Sequence, residues 1–323
     1  MGGDVATVSA QSREGSTMAR QLRYAPPDSV VEVTARTAGS RFLLRPGPAA
    51  NDLIAGVLGR AQALYGVRIH VIAVMSNHLH ALLGVDHAAQ LASFMQHILA
   101  NIAKELGRHH RWHGPFWSRR YRSIVVADAE SQVARLRYIL CQGLKEGLVE
   151  RAERWPGVSS VKATTKGTRL LGVWYDRTAQ FQARRRGAKP DPFRTEQICE
   201  IHLSPIPAMA NLPRPEYRRY VAELIRKEEN AVREDRAHRG KSSVLGERRI
   251  LEQDPHGAPA RSDRSPAPLV HAACVEVRRA FRAAYAAFVD AFRAAASALR
   301  GGDVANFPIG AFPPPAPFVR APG

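Results

Sequence analysis

The sequence predicts an α+β fold: a small antiparallel sheet with helices packed on it, continued by a basic, mainly helical and partly irregular C-terminal region. Three observations predict it. Up to about residue 140, short β-branched runs alternate with stretches whose apolar residues recur at helical spacing. Turn signals rich in Gly, Pro, Ser and Asn separate these segments. Beyond residue 165 periodicity weakens and charge dominates, as at Arg184-Arg185-Arg186.

Val30–Thr34 and Arg41–Arg45, split by Ala38-Gly39-Ser40, predict a hairpin. Asn51 or Asp52 is placed to cap a helix whose stripe is Leu53, Ile54, Val57, Leu58, Ala61, Leu64 and Tyr65, ending at Gly66. Arg68–Met75 and His78–Val85 flank a Ser76-Asn77 turn and predict an antiparallel pair. Leu91, Phe94, Met95, Ile98, Leu99, Ile102 and Leu106 predict a second amphipathic helix. After a loop dense in His, Arg and Trp come a strand Tyr121–Ala127 and a helix from Asp128 with Val133, Leu136, Ile139 and Leu140 apolar. The order ββ-α-ββ-α-β-α favours a ferredoxin-like layout.

A charged helix poor in apolar positions is expected over 216–239, and an amphipathic helix with Phe281, Tyr285, Phe288 and Phe292 follows it. The domain reading is therefore 1–23 disordered, 24–165 catalytic unit, 166–251 basic and largely helical extension, 252–268 linker, 269–299 amphipathic helix, and 300–323 Pro-rich tail. The aromatic stripe either packs on its own domain or docks a partner.

The 47 Lys and Arg against 29 Asp and Glu leave the chain at +18, and residues 101–200 hold 20 basic and 10 acidic side chains. A balance of this size points to a polyanion, nucleic acid before membrane surface. No apolar run approaches the ~18 residues of a membrane span. The first residues lack the apolar core of a secretory signal, so the expected location is cytoplasmic. Cys141, Cys199 and Cys274 lie far apart, which argues against a disulfide scaffold or a zinc finger.

Alternate residues of a strand point to one side, so His78 and His80 project together and can share a divalent cation. Taken alone, such a pair is as compatible with satisfied core or surface histidines. Tyr138 and Gln142 stand four apart on a helix and share a face. A phenol attacks a phosphodiester only when a nearby cation offsets the developing charge, and an amide oxygen can complete that cation's coordination. Arg119, Arg120 and Arg122 lie beside Phe116, Trp117 and Tyr121, a combination suited to single-stranded nucleic acid. Tyr121 is an alternative phenol, and His109, His110 and His113 fit a DNA-facing or plain surface loop better than a metal site.

The segment Val74-Met75-Ser76-Asn77-His78-Leu79-His80-Ala81-Leu82-Leu83 resembles the His-hydrophobe-His signature of single-tyrosine HUH transposases, especially the REP-associated tyrosine transposases. Gly114 to Ser123 resembles the family's strand segment, and Leu136-Arg137-Tyr138-Ile139 with Lys145-Glu146-Gly147-Leu148-Val149 resembles its tyrosine helix. Trp155-Pro156-Gly157-Val158-Ser159-Ser160 is similar to the Trp-Pro-x-Ser-Ser ending of the domain. The likeness covers roughly residues 24–165. Many members read Asn-Pro where this chain has Gln142-Gly143.

The resemblance implies that His78, His80 and Gln142 bind the metal and that Tyr138 is the nucleophile. It implies Mg or Mn, whereas ligand softness alone also admits Zn or Fe. It further implies cleavage and strand transfer of single-stranded DNA, folded as a hairpin, through a 5′-phosphotyrosine bond. Arg119, Arg120, Arg122, Lys145 and Trp117 are the candidate DNA contacts, and a homodimer is left open. The alternative is a single-stranded DNA- or RNA-binding protein that keeps the fold and does not cut.

Overall fold

The chain runs β1 (Ser29–Arg36), α1 (Pro48–Tyr65), β2 (Arg68–Val74), β3 (His78–Val85), α2 (Ala88–His109), β4 (Arg122–Val126), α3 (Ala129–Leu140), α4 (Gln142–Lys145) and α5 (Val161–Lys166). It continues through β5 (Leu170–Tyr175), α6 (Arg177–Arg185), α7 (Pro192–Thr195), β6 (Glu196–Ile201), α8 (Arg214–His238), α9 (Glu247–Leu251), β7 (Val270–His271) and α10 (Val275–Gly301). These elements come from a computed structural model that describes residues 21–240, 243–260 and 267–314. The segments 1–20 and 315–323, and part of the expected linker (261–266), lie outside the described residues.

The main sheet has the order β2-β3-β1-β4-β7. β1 sits at its centre, antiparallel to both β3 and β4, and only β7 is parallel to its neighbour. Period-2 alternation gives the sheet two apolar faces. Val31, Val33, Ala35, Leu79, Ala81 and Leu83 pack with α1 and α2, whereas Val30, Leu82 and Val126 pack with α3 and α8. The α+β layout expected from the sequence is therefore present.

The expected second strand at Arg41–Arg45 is not formed. Gly39 and Ser40 take positive φ (60° and 56°) and turn the chain away, and both edges of β1 are already taken by β3 and β4. Consecutive burial of Leu43 and Leu44 then plugs the core, a pattern no half-buried strand produces. α1 begins at Pro48 rather than after Asn51, because proline pre-sets the first helical φ, and it stops at Gly66 in the left-handed region as expected. The α2 stripe of Leu91, Phe94, Met95, Ile98, Ile102 and Leu106 is buried.

Trp155 to Ser160 closes the unit along β2. The Trp155 indole donates to the Val74 carbonyl (3.0 Å), Val74 N–H donates to Val158 (2.9 Å), and the Ser160 hydroxyl accepts from Ile72 N–H (2.7 Å).

The extension over 166–251 is not purely helical: β5 and β6 form a two-stranded antiparallel sheet laid on α1. Gly56 and Gly172 let the backbones meet, since a Cβ on either would overlap the other element. α8 buries Tyr217, Val221 and Ile225, a narrow stripe at helical spacing. In the expected linker, Gln253 accepts from the Ser76 hydroxyl (2.6 Å) and the His256 carbonyl takes an Arg41 hydrogen bond, so residues 252–260 lie against the N-terminal unit. Val270–His271 joins the sheet and the final helix starts at Val275. The aromatic stripe packs on its own chain: Tyr24 lies 5.8, 6.1 and 4.4 Å from the rings of Phe281, Tyr285 and Phe288. Among the described residues no helix is long and apolar enough to cross a membrane.

Candidate active site

The β1–β3 register sets Thr34 opposite His80 and Arg36 opposite His78. Alternation therefore puts His78, His80, Glu32, Thr34 and Arg36 on the sheet face covered by α3. His78 and His80 are 3% and 8% exposed, and their rings lie 5.1 Å apart. The His80 ring lies 5.7 Å from the Tyr138 ring, edge to face. Sheet and helix thus bring both predicted histidines and the predicted tyrosine together.

The two imidazoles are held from behind. His78 Nδ1 is 2.7 Å from Asn77 Oδ1, and His80 Nδ1 is 3.1 Å from Thr34 Oγ1 and 3.2 Å from Glu32 Oε1. Both Nε2 atoms therefore face the opposite side, where that of His78 stands 3.5 Å from Glu146 Oε1. Burial, with His80 and Arg36 adding positive charge nearby, pushes the His78 imidazole well below its ordinary range, so it is neutral at neutral pH with a lone pair to give.

Asp128 starts α3 by accepting from Ser131 N–H at 2.8 Å. From there the helix carries Arg135 and Tyr138 over the sheet. Cys141 separates α3 from α4, yet its carbonyl still accepts from Lys145 N–H (3.1 Å), so Gln142 keeps its place one turn beyond Tyr138. Gln142 donates Nε2–H to Glu146 Oε1 (2.7 Å), and the same carboxylate oxygen stands 3.5 Å from His78 Nε2. Burial pushes the Glu146 carboxyl up, against the Gln142 hydrogen bond that lowers it.

The divalent metal that the resemblance of the sequence motifs implies fits these residues. Gln142 Oε1 is buried with no hydrogen-bond partner among the described residues, an orphaned acceptor of the kind a cation satisfies. Two imidazole nitrogens and an amide oxygen make a donor set of borderline softness. No cluster of three or more His, Cys, Asp or Glu suited to a metal occurs among the described residues, so the fit rests on the mixed His and Gln set.

Beside the site runs a cleft of about 380 Å³ lined by Arg36, Arg119, Arg120, Arg122, Tyr121 and Thr34 among others. The arginines at 119, 120 and 122 are exposed. The other expected contacts are differently placed. Lys145 is ion-paired with Glu228 on α8 at 3.0 Å and lies 5.1 Å over the Tyr138 ring. Trp117 is half-buried against the core and donates its indole N–H to the Leu99 carbonyl at 2.9 Å. Tyr121 belongs to the core on the α1 and α2 side, and burial pushes its phenol up to about 12.

Four residues of the site were not singled out from the sequence. Arg135 places its guanidinium 3.9 Å from the Tyr138 ring centroid and pairs with Glu32, which is 3% exposed and also neighbours His271. Glu146 had a local signal, standing four residues after Gln142, and Arg135 stands three before Tyr138. Glu32 and His271 come from opposite ends of the chain, and no local spacing joins them.

Residues 49–142 match the family model described as IS200-like transposase, which contains His78, His80, Tyr138 and Gln142. No curated protein matches the chain. Among solved structures it is similar to a REP-associated tyrosine transposase bound to a REP hairpin, at 16% identity and a TM-score of 0.38, covering 44% of this chain and 82% of the other. A Deinococcus radiodurans R1 protein described as a transposase aligns at 18% identity and a TM-score of 0.27, covering 33% and 85%. The tRNA(His) guanylyltransferase of Saccharomyces cerevisiae aligns at 13% identity and a TM-score of 0.31, covering 59% and 96%. The family match and the expectation drawn from the sequence motifs fall on the same segment.

Proposed function

We propose that this protein is a transposase-type DNA strand transferase that cuts single-stranded DNA with Tyr138 in the presence of Mg or Mn, within a catalytic unit spanning residues 24–165. The observation that carries the reading is the approach of the Tyr138 ring to His80, 5.7 Å away on the face that also holds His78 and the orphaned Gln142 oxygen. The IS200-like match over residues 49–142 supports the same chemistry.

In this reading His78, His80 and Gln142 would hold the metal. When bound, it polarises the scissile phosphate and offsets charge on the departing oxygen. Tyr138 Oη attacks phosphorus, the phosphorus to O3′ bond breaks, the phenolic proton leaves to solvent, and the 3′ oxygen is released as a hydroxyl. The product is a 5′-phosphotyrosine ester of conserved bond energy, so a second 3′-hydroxyl can reverse the step on another strand without water or nucleotide. Arg135 over the Tyr138 ring favours the phenolate as it forms. Arg119, Arg120 and Arg122 hold the backbone in the cleft, with Lys145 and Trp117 as secondary contacts. The substrate is single-stranded DNA with hairpin structure, the setting is cytoplasmic, and a homodimer is compatible with the reading.

The test is incubation of the full chain with labelled single-stranded DNA from the flanks of its own gene, with Mg or Mn, followed by a denaturing gel. A covalent adduct that persists in Tyr121→Phe and disappears in Tyr138→Phe is expected. Tight, salt-sensitive binding without any adduct would favour the non-cutting binder instead.

A further inference from the structure

Glu32 is a carboxylate in the middle of the central strand, 3% exposed, where an unpaired charge would be costly. Three side chains from three elements meet it. Oε1 is 3.2 Å from His80 Nδ1 on β3 and accepts from Arg135 Nη2 on α3 at 2.7 Å. Oε2 is 2.6 Å from Arg135 Nε and 3.0 Å from His271 Nε2 on β7. The third partner comes from beyond residue 251, outside the N-terminal unit.

His271 is fixed by its own backbone. β7 pairs with β4 through Val125 with Val270 and Val126 with His271, and Ala127 N–H donates to the His271 carbonyl at 2.9 Å. Asp128, whose Oδ1 caps α3, accepts from Cys274 N–H through Oδ2 at 3.0 Å. One aspartate thus ties the start of the tyrosine helix to the start of α10, just beyond the C-terminal strand.

We infer that Glu32 is a positioning residue that orients His80 and Arg135 together, and that His271 from the C-terminal strand holds Glu32 in place, so that the C-terminal region completes the active site. A carboxylate on Nδ1 fixes the tautomer that turns the Nε2 lone pair of His80 outward. The same carboxylate accepts a hydrogen bond from Arg135 Nη2 at 2.7 Å and forms an ion pair with its Nε at 2.6 Å, which keeps the guanidinium over Tyr138. Thr34 alone, as a neutral neighbour of His80 Nδ1, would fix neither charge nor fork.

The inference rests on the reading of His80 as a metal ligand, and the experiment separates the two. Mn is titrated calorimetrically into the full chain and into His80→Ala, Glu32→Gln and His271→Gln, with metal-free melting and single-turnover adduct rates measured in parallel. Glu32→Gln is expected to weaken Mn binding by about 10- to 100-fold. It should also lower the adduct rate more than the DNA affinity, and His271→Gln should shift both in the same direction by less. If His80→Ala binds Mn like wild type, the ligand reading fails. If His80→Ala loses Mn while a folded Glu32→Gln binds Mn and reacts like wild type, the positioning role is overturned. Should Glu32→Gln not fold, His271→Gln decides: wild-type Mn affinity and adduct rate in that variant overturn the inference.

Discussion

The guanidinium of Arg135 lies 3.9 Å from the ring centroid of Tyr138 while it is hydrogen-bonded and ion-paired to the buried Glu32. A cation so anchored cannot swing away as negative charge grows on the phenolic oxygen. Replacing it with glutamine should lower the single-turnover adduct rate by about 30-fold, the value of about 2 kcal/mol for a desolvated cation over an aromatic ring. DNA affinity should change little, and a parallel fall in binding would show that Arg135 acts on the strand instead.

The exposed arginines of the cleft should appear in the salt dependence of binding. Each of Arg119→Ala, Arg120→Ala and Arg122→Ala is expected to reduce the slope of log affinity against log salt by about 0.7, the value per phosphate of a single strand. Lys145→Ala should reduce the slope by less than any of these, because its ammonium already pairs with Glu228. Fluorescence anisotropy at several salt concentrations reads all four.

Gly56 lets α1 meet the Val173 backbone without a side chain between them. Gly56→Ala should therefore loosen β5–β6, with an overpacking cost of about 1–3 kcal/mol. Hydrogen exchange is expected to accelerate at Leu170–Tyr175 and Glu196–Ile201 while β1 and β3 stay protected. Unchanged exchange would mean that the two-stranded sheet tolerates a shift that the close approach argues against.

Burial raises the Tyr121 phenol to about 12, above the ~10 of an unfolded chain. Between those values the unfolded state loses its proton first, so stability falls as pH rises and is unaffected at neutral pH. Tyr121→Phe should flatten that alkaline slope in denaturant melts between about pH 10 and 12. An identical slope in the variant would place the phenol in water.

Much of the placement of the candidate site was legible because its signals are local. His78 and His80 share a face by strand alternation, and Gln142 follows Tyr138 by one turn although Cys141 divides the helix. The hairpin at Arg41–Arg45 misled because alternation cannot see that β1 has no free edge. β5 and β6 escaped because two short helices separate the partners and Gly172 breaks the alternation of the first.

By itself the sequence determined the sheet-and-helix class of the first half, the histidine pair, the tyrosine helix and the basic character of the cleft, since these depend on composition and on spacings of two to four residues. Only the tertiary structure decided where the C-terminal half goes. It set His271 beside Glu32, laid β5–β6 on α1, and packed the aromatic stripe of α10 on Tyr24. Each of these contacts joins residues far apart in the chain. Their partners are chosen by which buried charges and apolar faces remain unmatched once the sheet has formed, and no local pattern records that choice.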